Sequence, residues 1–392
     1  MNNASNSDGG CVQSATAVPL SLFYFFYFSF LGCLLPFWPV FLEGQGFTGY
    51  QIGLVQSIFL GTKIFAPSVA GWISDRTGFR ARVIRVGVLG AGTFFSLFLL
   101  DFSLYELLIY SALYSVFWNA ILSQFEAYTL ESLGNRAHLY SKIRMWGSIG
   151  FIVLSLGLGG LFDFVSISWL PIIMVSIVLC AGLVSFSLSE LRNEDEVFSG
   201  ARTKSVLPLL KRSNVAAFLV ICLLTQASHG PYYSFYSLYL KEFDYSSGVI
   251  GGLWALGVVS EVVLFLIFPS WVRRVGPYFL LKLSIGLTAV RWMMIGVLPD
   301  SLLFIALSQI LHAFSFGCLH VVSMMYVQKF FSKEFSGRGQ ALYSGVSFGL
   351  GGAIGAFFSG VMWEILVHGM LFYVAAGVVL MSFFFVRCLN EQ

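Results

Sequence analysis

With 57% of its 392 residues apolar and only 10% charged, the chain has a mean hydropathy of +0.83. Twenty-two Lys and Arg with 19 Asp and Glu cannot coat a soluble domain of this length, so lipid must be the solvent for most of the surface. The net charge of +3 carries no nucleic-acid signal, and the scattered Cys11, Cys33, Cys180, Cys222, Cys318 and Cys388 have neither a disulfide framework nor a metal-ligand spacing.

In a bilayer every backbone polar group must be paired inside the protein, which leaves helices or a closed barrel. Alternating ten-residue strands are absent, whereas apolar runs of helix-spanning length recur. In chain order the expected spans lie near 19–42, 52–74, 83–101, 105–130, 143–162 and 168–188. A second set follows near 214–240, 248–270, 278–298, 302–328, 339–364 and 369–387. No Lys or Arg precedes Lys63, so the first run lacks the basic start of a cleavable signal peptide, and it is too long for one. Ser189–Ser213, with Glu194, Asp195, Glu196, Lys211 and Arg212, is the longest polar segment and reads as a surface linker. The expected architecture is an all-α membrane protein of twelve transmembrane helices. Residues 1–188 and 214–392 form two six-helix bundles, and 189–213 join them in the cytoplasm.

The basic residues orient it. With the N-terminus cytoplasmic, 19 Lys and Arg fall on the cytoplasmic side and one, Lys241, on the other, while Lys63 and Arg291 lie inside spans. Both termini are expected in the cytoplasm. The halves also repeat: Phe37–Gly78 aligns without gaps on Phe235–Gly276 at a constant offset of 198. Leu42 meets Leu240, Ile52-Gly53 meets Ile250-Gly251, Gly78 meets Gly276, and Lys63 falls on Glu261. Parallel repeats of this kind suit a transporter with a central site at mid-membrane.

Gly71-Trp72-Ile73-Ser74-Asp75-Arg76-Thr77-Gly78-Phe79-Arg80 closes the second span. Gly71 permits close helix approach, Asp75 can sit by the positive end of a neighbouring helix, and Arg76 and Arg80 hold the loop inside. The segment resembles the signature loop of the major facilitator superfamily, Gly-x-x-(Ser/Ala)-Asp-Arg-x-Gly-x-Arg, which implies the major facilitator fold and a role in conformational switching. Glycines cluster in the fifth, eighth and eleventh spans, among them Gly159, Gly251 and Gly360. In the resembled fold helices 2 with 11 and 5 with 8 form the interface between halves.

An ionised group at the centre of a span costs roughly 2.5–3.5 kcal/mol, so such residues usually serve a cavity or pathway. Lys63, Glu126, Glu261 and Arg291 lie within spans, Arg144 just inside the fifth, and His229, His312 and His320 in the seventh and tenth. His229, Tyr233 and Tyr236 share a helical face, as do Trp254 and Glu261, and such aromatics suit a ring-shaped substrate. Tyr140 to Phe151, preceded by Glu126, resembles the fourth-to-fifth helix segment of the phenylpropionate permease group, a branch related to lactose permease and nucleoside–proton symporters. The segments around His229, Glu261, Arg291, and His312 through His320 resemble it in the same order.

That likeness implies cavity-lining roles for Glu126, Arg144, Arg291 and His312. One position departs, since lactose permeases have a carboxylate one turn after the tenth-helix His and Ser315 stands there here. The expected activity is proton-coupled symport, with no enzymatic chemistry, cofactor or metal. Three buried cations against Glu126 and Glu261 favour an anionic aromatic substrate such as phenylpropionate. A sugar or nucleoside comes second, and a non-transporting sensor on a transporter fold third. Lys63, Glu126, Arg144, His229, Tyr233, Tyr236, Trp254 and His312 are expected to bind substrate. Glu261, with Arg291, His312 and Glu126, is expected to couple the proton. The expected partners are substrate, protons and lipid, and the chain is expected to be a monomer.

Overall fold

The computed structural model describes residues 8–191, 207–332 and 335–389, and most of the expected linker falls outside them. Among the described residues every regular element is helical. The first crossings are α1 (Ala17–Gly44), α2 (Gly49–Thr77) and α3 (Arg80–Leu99). Leu104–Phe162 is one helical run of 59 residues, too long for a single passage. Gly134, at φ +49°, and the tight turn Gly134–Leu139 fold it into α4 (Leu104–Leu133) and α5 (Tyr140–Phe162). Then come α6 (Ile167–Ser185) and α7 (Ser213–Lys241). A 51-residue run, Ser247–Val297, breaks at Gly276 into α8 (247–275) and α9 (277–297). The chain finishes with α10 (Leu302–Phe330), α11 (Gly337–Ile365) and α12 (Gly369–Leu389). Among the described residues twelve crossings put the start of α1 and the end of α12 on one face, called inner below; the opposite face is outer.

The internal repeat reappears in the geometry. Thr48 and Ser246, related by the offset of 198, are both helix N-caps whose hydroxyls accept from the N–H of Gln51 and Val249. Gly78 and Gly276, paired by the same offset, both have positive φ, +70° and +75°, a region that a side chain disfavours.

The halves, α1–α6 and α7–α12, meet where α2 packs on α11 and α5 on α8. These contacts are backbone to backbone: a Cβ on Gly53 would lie 2.5 Å from the Gly360 Cα, and one on Gly251 2.2 Å from the Ser155 carbonyl oxygen. Two carboxylates reinforce the outer rim. Glu364 at the end of α11 accepts from the Tyr50 N–H at 3.0 Å, and Asp163 just past α5 accepts from the Gly248 N–H at 3.1 Å. Each thus joins one half to a helix N-terminus of the other, where the helix dipole favours negative charge.

Candidate functional site

Four helices lose their α-winding near mid-span. In α2 the turn Thr62–Ile64 is 3-10, just before Pro67, whose ring nitrogen cannot donate. In α7 the winding breaks at His229, before Gly230 and Pro231. In α10 and α11, Ala313–Cys318 and Gly345–Gly351 are π-helical. Irregular backbone at this depth is tolerated where it is buried in protein or lines a cavity, and π turns concentrate at functional positions.

In the N-terminal half the turn after α4 brings Glu126 and Arg144 together, with Nε 3.7 Å from Oε1 and both side chains about one-third exposed. That is an ion pair but too long for a hydrogen bond, so the guanidinium has freedom to turn to another acceptor. It lies over the Phe28 ring at 4.0 Å and beside Tyr24 at 5.3 Å. Gly147 gives it room, because a Cβ there would stand 2.8 Å from Nη1. Lys63 rides on the 3-10 turn of α2, partly exposed, with its ammonium 5.4 Å from the Phe59 ring centre. No carboxylate lies within 4.0 Å of it among the described residues. Asn119 steadies the turn by donating to the Phe59 carbonyl at 2.7 Å and to the Thr62 hydroxyl at 2.8 Å.

The C-terminal half is built differently. Arg291 is fully buried and donates to the Ser308 carbonyl (3.1 Å), the Ser315 hydroxyl (2.9 Å) and Gln309 Oε1 (3.2 Å). Its guanidinium lies over the rings of Tyr232 at 4.1 Å and Trp292 at 4.6 Å. Every one of these partners is neutral. Tyr232 donates to Gln309 Oε1 at 2.9 Å, and Gln309 donates to the Tyr236 hydroxyl at 2.8 Å. Next to this network Glu261 Oε1 lies 2.8 Å from His312 Nε2, and the His312 ring stands 5.6 Å from that of Tyr232.

The remaining sequence-predicted residues divide. His229 points Nδ1 at the Thr225 carbonyl (2.8 Å) and stacks on Tyr233, whose side chain is only partly covered. Tyr236 is fully buried and accepts from Gln309, so it sits in the network around Arg291. Trp254 donates to Ser237 at 3.0 Å and packs 4.5 Å from Tyr232. In the signature loop Arg80 binds Asp75 (3.3 Å), Glu131 (3.1 Å) and Gln124 (2.9 Å). The partner of Asp75 is therefore the Arg80 side chain at the start of α3. Gly78 caps α2, Gly71 lies against Gln124, and Arg76 leans on Trp72.

Sequence reasoning missed Tyr232 and Gln309, two of the residues that hold Arg291. A glutamine in an apolar span, three residues before His312, was the available signal. Phe28 carried no signal above the general aromatic content.

Comparisons with known proteins show the family and the fold. The MFS_1-like family model matches residues 17–374. The chain is 31% identical to the probable 3-phenylpropionic acid transporter of Escherichia coli, over 93% of this chain and 96% of that protein. It is 24% identical to the maltose permease of Geobacillus stearothermophilus, covering 87% and 86% of the two. It is also 24% identical to the putative nucleoside transporter YegT of Escherichia coli, covering 84% and 80%. Among solved structures, the nucleoside transporter NupG superposes with a TM-score of 0.83 at 19% identity, over 96% of this chain and 99% of that one. The POT family transporter PepTSo superposes with a TM-score of 0.73 at 12% identity, over 96% and 98%.

Proposed function

The chain belongs to the MFS_1-like family, and we propose that it is a proton-coupled symporter importing a small aromatic monocarboxylate, with phenylpropionate the first choice. It is a multi-pass membrane transporter, as its matched relatives are. The proposed setting is a bacterial inner membrane with both termini cytoplasmic, supported by the 19-to-1 distribution of Lys and Arg.

One observation carries the anionic substrate. Lys63, on the mid-span turn of α2, has no carboxylate within 4.0 Å among the described residues, and Arg144 meets Glu126 only at 3.7 Å, while Glu261 is engaged by His312. Charge held away from water without a counter-ion is costly, so a bound carboxylate is stabilising there. On this reading Lys63 and Arg144 receive the substrate carboxylate. Phe28, Tyr233 and Trp254 receive its ring, with His229 and Tyr236 behind them. Glu261 carries the proton, with His312 on it and Arg291 fixing the surrounding network, and Glu126 sets the charge of Arg144.

The printed name of the 31%-identical relative supports the same substrate class. A neutral sugar or nucleoside is the second reading, favoured by the maltose permease and nucleoside transporter relatives. The test adds 3-phenylpropionate, maltose and a nucleoside in turn to lightly buffered, de-energised cells expressing the protein. External alkalinisation is expected with 3-phenylpropionate alone. A response to the sugar or nucleoside alone overturns the anionic reading, and transport without alkalinisation overturns proton symport.

A further inference from the structure

A proton held on Glu261 must still leave through the inner face, and α10 supplies a path that none of the roles above uses. His312, Phe316 and His320 follow at intervals of four. In a regular α-helix four residues overshoot one turn by about 40°, so His312 and His320 would diverge by about 80°. The π winding of Ala313–Cys318 widens the turn and offsets that divergence. The rings of His312 and Phe316 accordingly stack at 5.6 Å and 15°, and those of Phe316 and His320 at 6.2 Å and 11°. The row starts at Glu261, through His312, and ends eight residues nearer the inner face, about 12 Å along the helix.

His320 is held at that end. Its Nδ1 lies 3.1 Å from the Tyr343 hydroxyl on α11. Beside it is a small cavity of about 20 Å³, room for about one water, whose walls include Thr225, Gln226, Ser315, His320, Ser323 and Tyr343. Several hydroxyls around a space of this size meet the polar requirement for holding water. Ser315 also accepts from Arg291, so the pocket adjoins the network around Glu261 and His312. The charged groups acting on His320 are Glu261 and, from the other half, Arg144; Tyr343 is its titratable neighbour. The polar surroundings of His320 thus lie between the proton site and the inner face.

We infer that His320, oriented by Tyr343, accepts the proton released by Glu261 and hands it to water at the inner face. The inference rests on the proton-symport reading. In the step, the O–H bond of protonated Glu261 breaks and leaves a carboxylate beside His312. The proton is passed through pocket water to the His320 imidazole, and the imidazolium then loses it to inner water, so charge and protons balance.

The experiment uses vesicles containing the full chain, an imposed pH gradient and labelled 3-phenylpropionate, with counterflow in the absence of a gradient as the second readout. Glu261→Gln is expected to lose accumulation and keep counterflow. His320→Gln is expected to lose accumulation about tenfold or more with counterflow near wild type, because it removes the acceptor without touching the substrate chamber. Tyr343→Phe keeps the imidazole and removes its hydrogen bond; it is expected to lower accumulation less and to shift its dependence on internal pH. Accumulation lost in Glu261→Gln but intact in both other variants overturns the relay and leaves symport standing. Accumulation intact in Glu261→Gln, or absent from wild type, overturns the symport reading and the relay with it.

Discussion

The two halves of the molecule hold their buried charges in opposite ways. In the N-terminal half Glu126 and Arg144 are about one-third exposed and 3.7 Å apart, and Lys63 has no carboxylate within 4.0 Å among the described residues. In the C-terminal half Arg291 is fully buried with three hydrogen bonds and two ring faces, and Glu261 is closed onto His312. A side chain whose bonds are satisfied by its own fold gains little by turning to a ligand. One with bonds to spare gains much. The difference therefore supports a division of labour in which the N-terminal half meets the substrate carboxylate and the C-terminal half handles the proton.

The largest effect is expected from Arg291→Leu, which strips the Ser315 hydroxyl and the Ser308 carbonyl of a buried donor and leaves Gln309 Oε1 with Tyr232 alone. Each orphaned group costs about 1–3 kcal/mol, so purified protein should melt well below wild type and transport should vanish. Thermal unfolding in detergent reads this directly. A variant as stable as wild type would mean that the C-terminal cluster is no more rigid than its counterpart. Arg144→Ala should behave in the contrary way, with melting near wild type and affinity for 3-phenylpropionate down about 100-fold or more, because the long, part-exposed ion pair to Glu126 adds little to stability while the ligand contact is lost. Calorimetric binding at wild-type strength would return Glu126–Arg144 to a structural pair. Lys63→Met comes next. About a tenfold loss of affinity for the anion is expected, with uncharged analogues unaffected and Lys63→Arg close to wild type. Equal losses for charged and uncharged ligands would place Lys63 outside the carboxylate site.

How much of this was legible in the sequence follows the range of the signal. The spans were readable because lipid imposes an apolar length, and the inner and outer ends because glycines and caps mark them. The repeat offset read from Phe37–Gly78 places Tyr50 on Gly248, and those two N–H groups are the ones capped across the halves. The candidate site was legible by charge but not by contact. His229 and Tyr233 do stack, but helical spacing could not say which ring of α7 meets which partner. Tyr232, between them in sequence, is the ring under Arg291, and Tyr236 is buried against Gln309. The π turns of α10 and α11 left no trace in apolar periodicity, since they shift phase within a segment apolar on several sides. Ser315 could be seen to depart from the related pattern, but its bond to Arg291 could not.

The smallest expected effect sharpens the comparison where the halves are alike. At the outer rim each half presents a carboxylate to the other: Asp163 of the first to the N-terminus of α8, and Glu364 of the second to the N-terminus of α2. If the contrast at mid-membrane reflects function rather than a general stiffness of the C-terminal half, the two clasps should be equivalent. Asp163→Asn and Glu364→Gln keep an acceptor oxygen and remove only the charge, which is worth about 0.3–1 kcal/mol at a helix N-terminus. The ratio of outward-closed to outward-open protein should then fall by about two- to fivefold in either variant. A cysteine placed on the chamber wall in a background without native cysteines, and labelled from outside by a membrane-impermeant maleimide, should react faster by that factor. The two substitutions together should multiply, since the clasps share no residue. A strong effect from one clasp and none from the other would show that the outer rim is also asymmetric. The contrast between the charge clusters would then reflect a stiffer half rather than a division of roles.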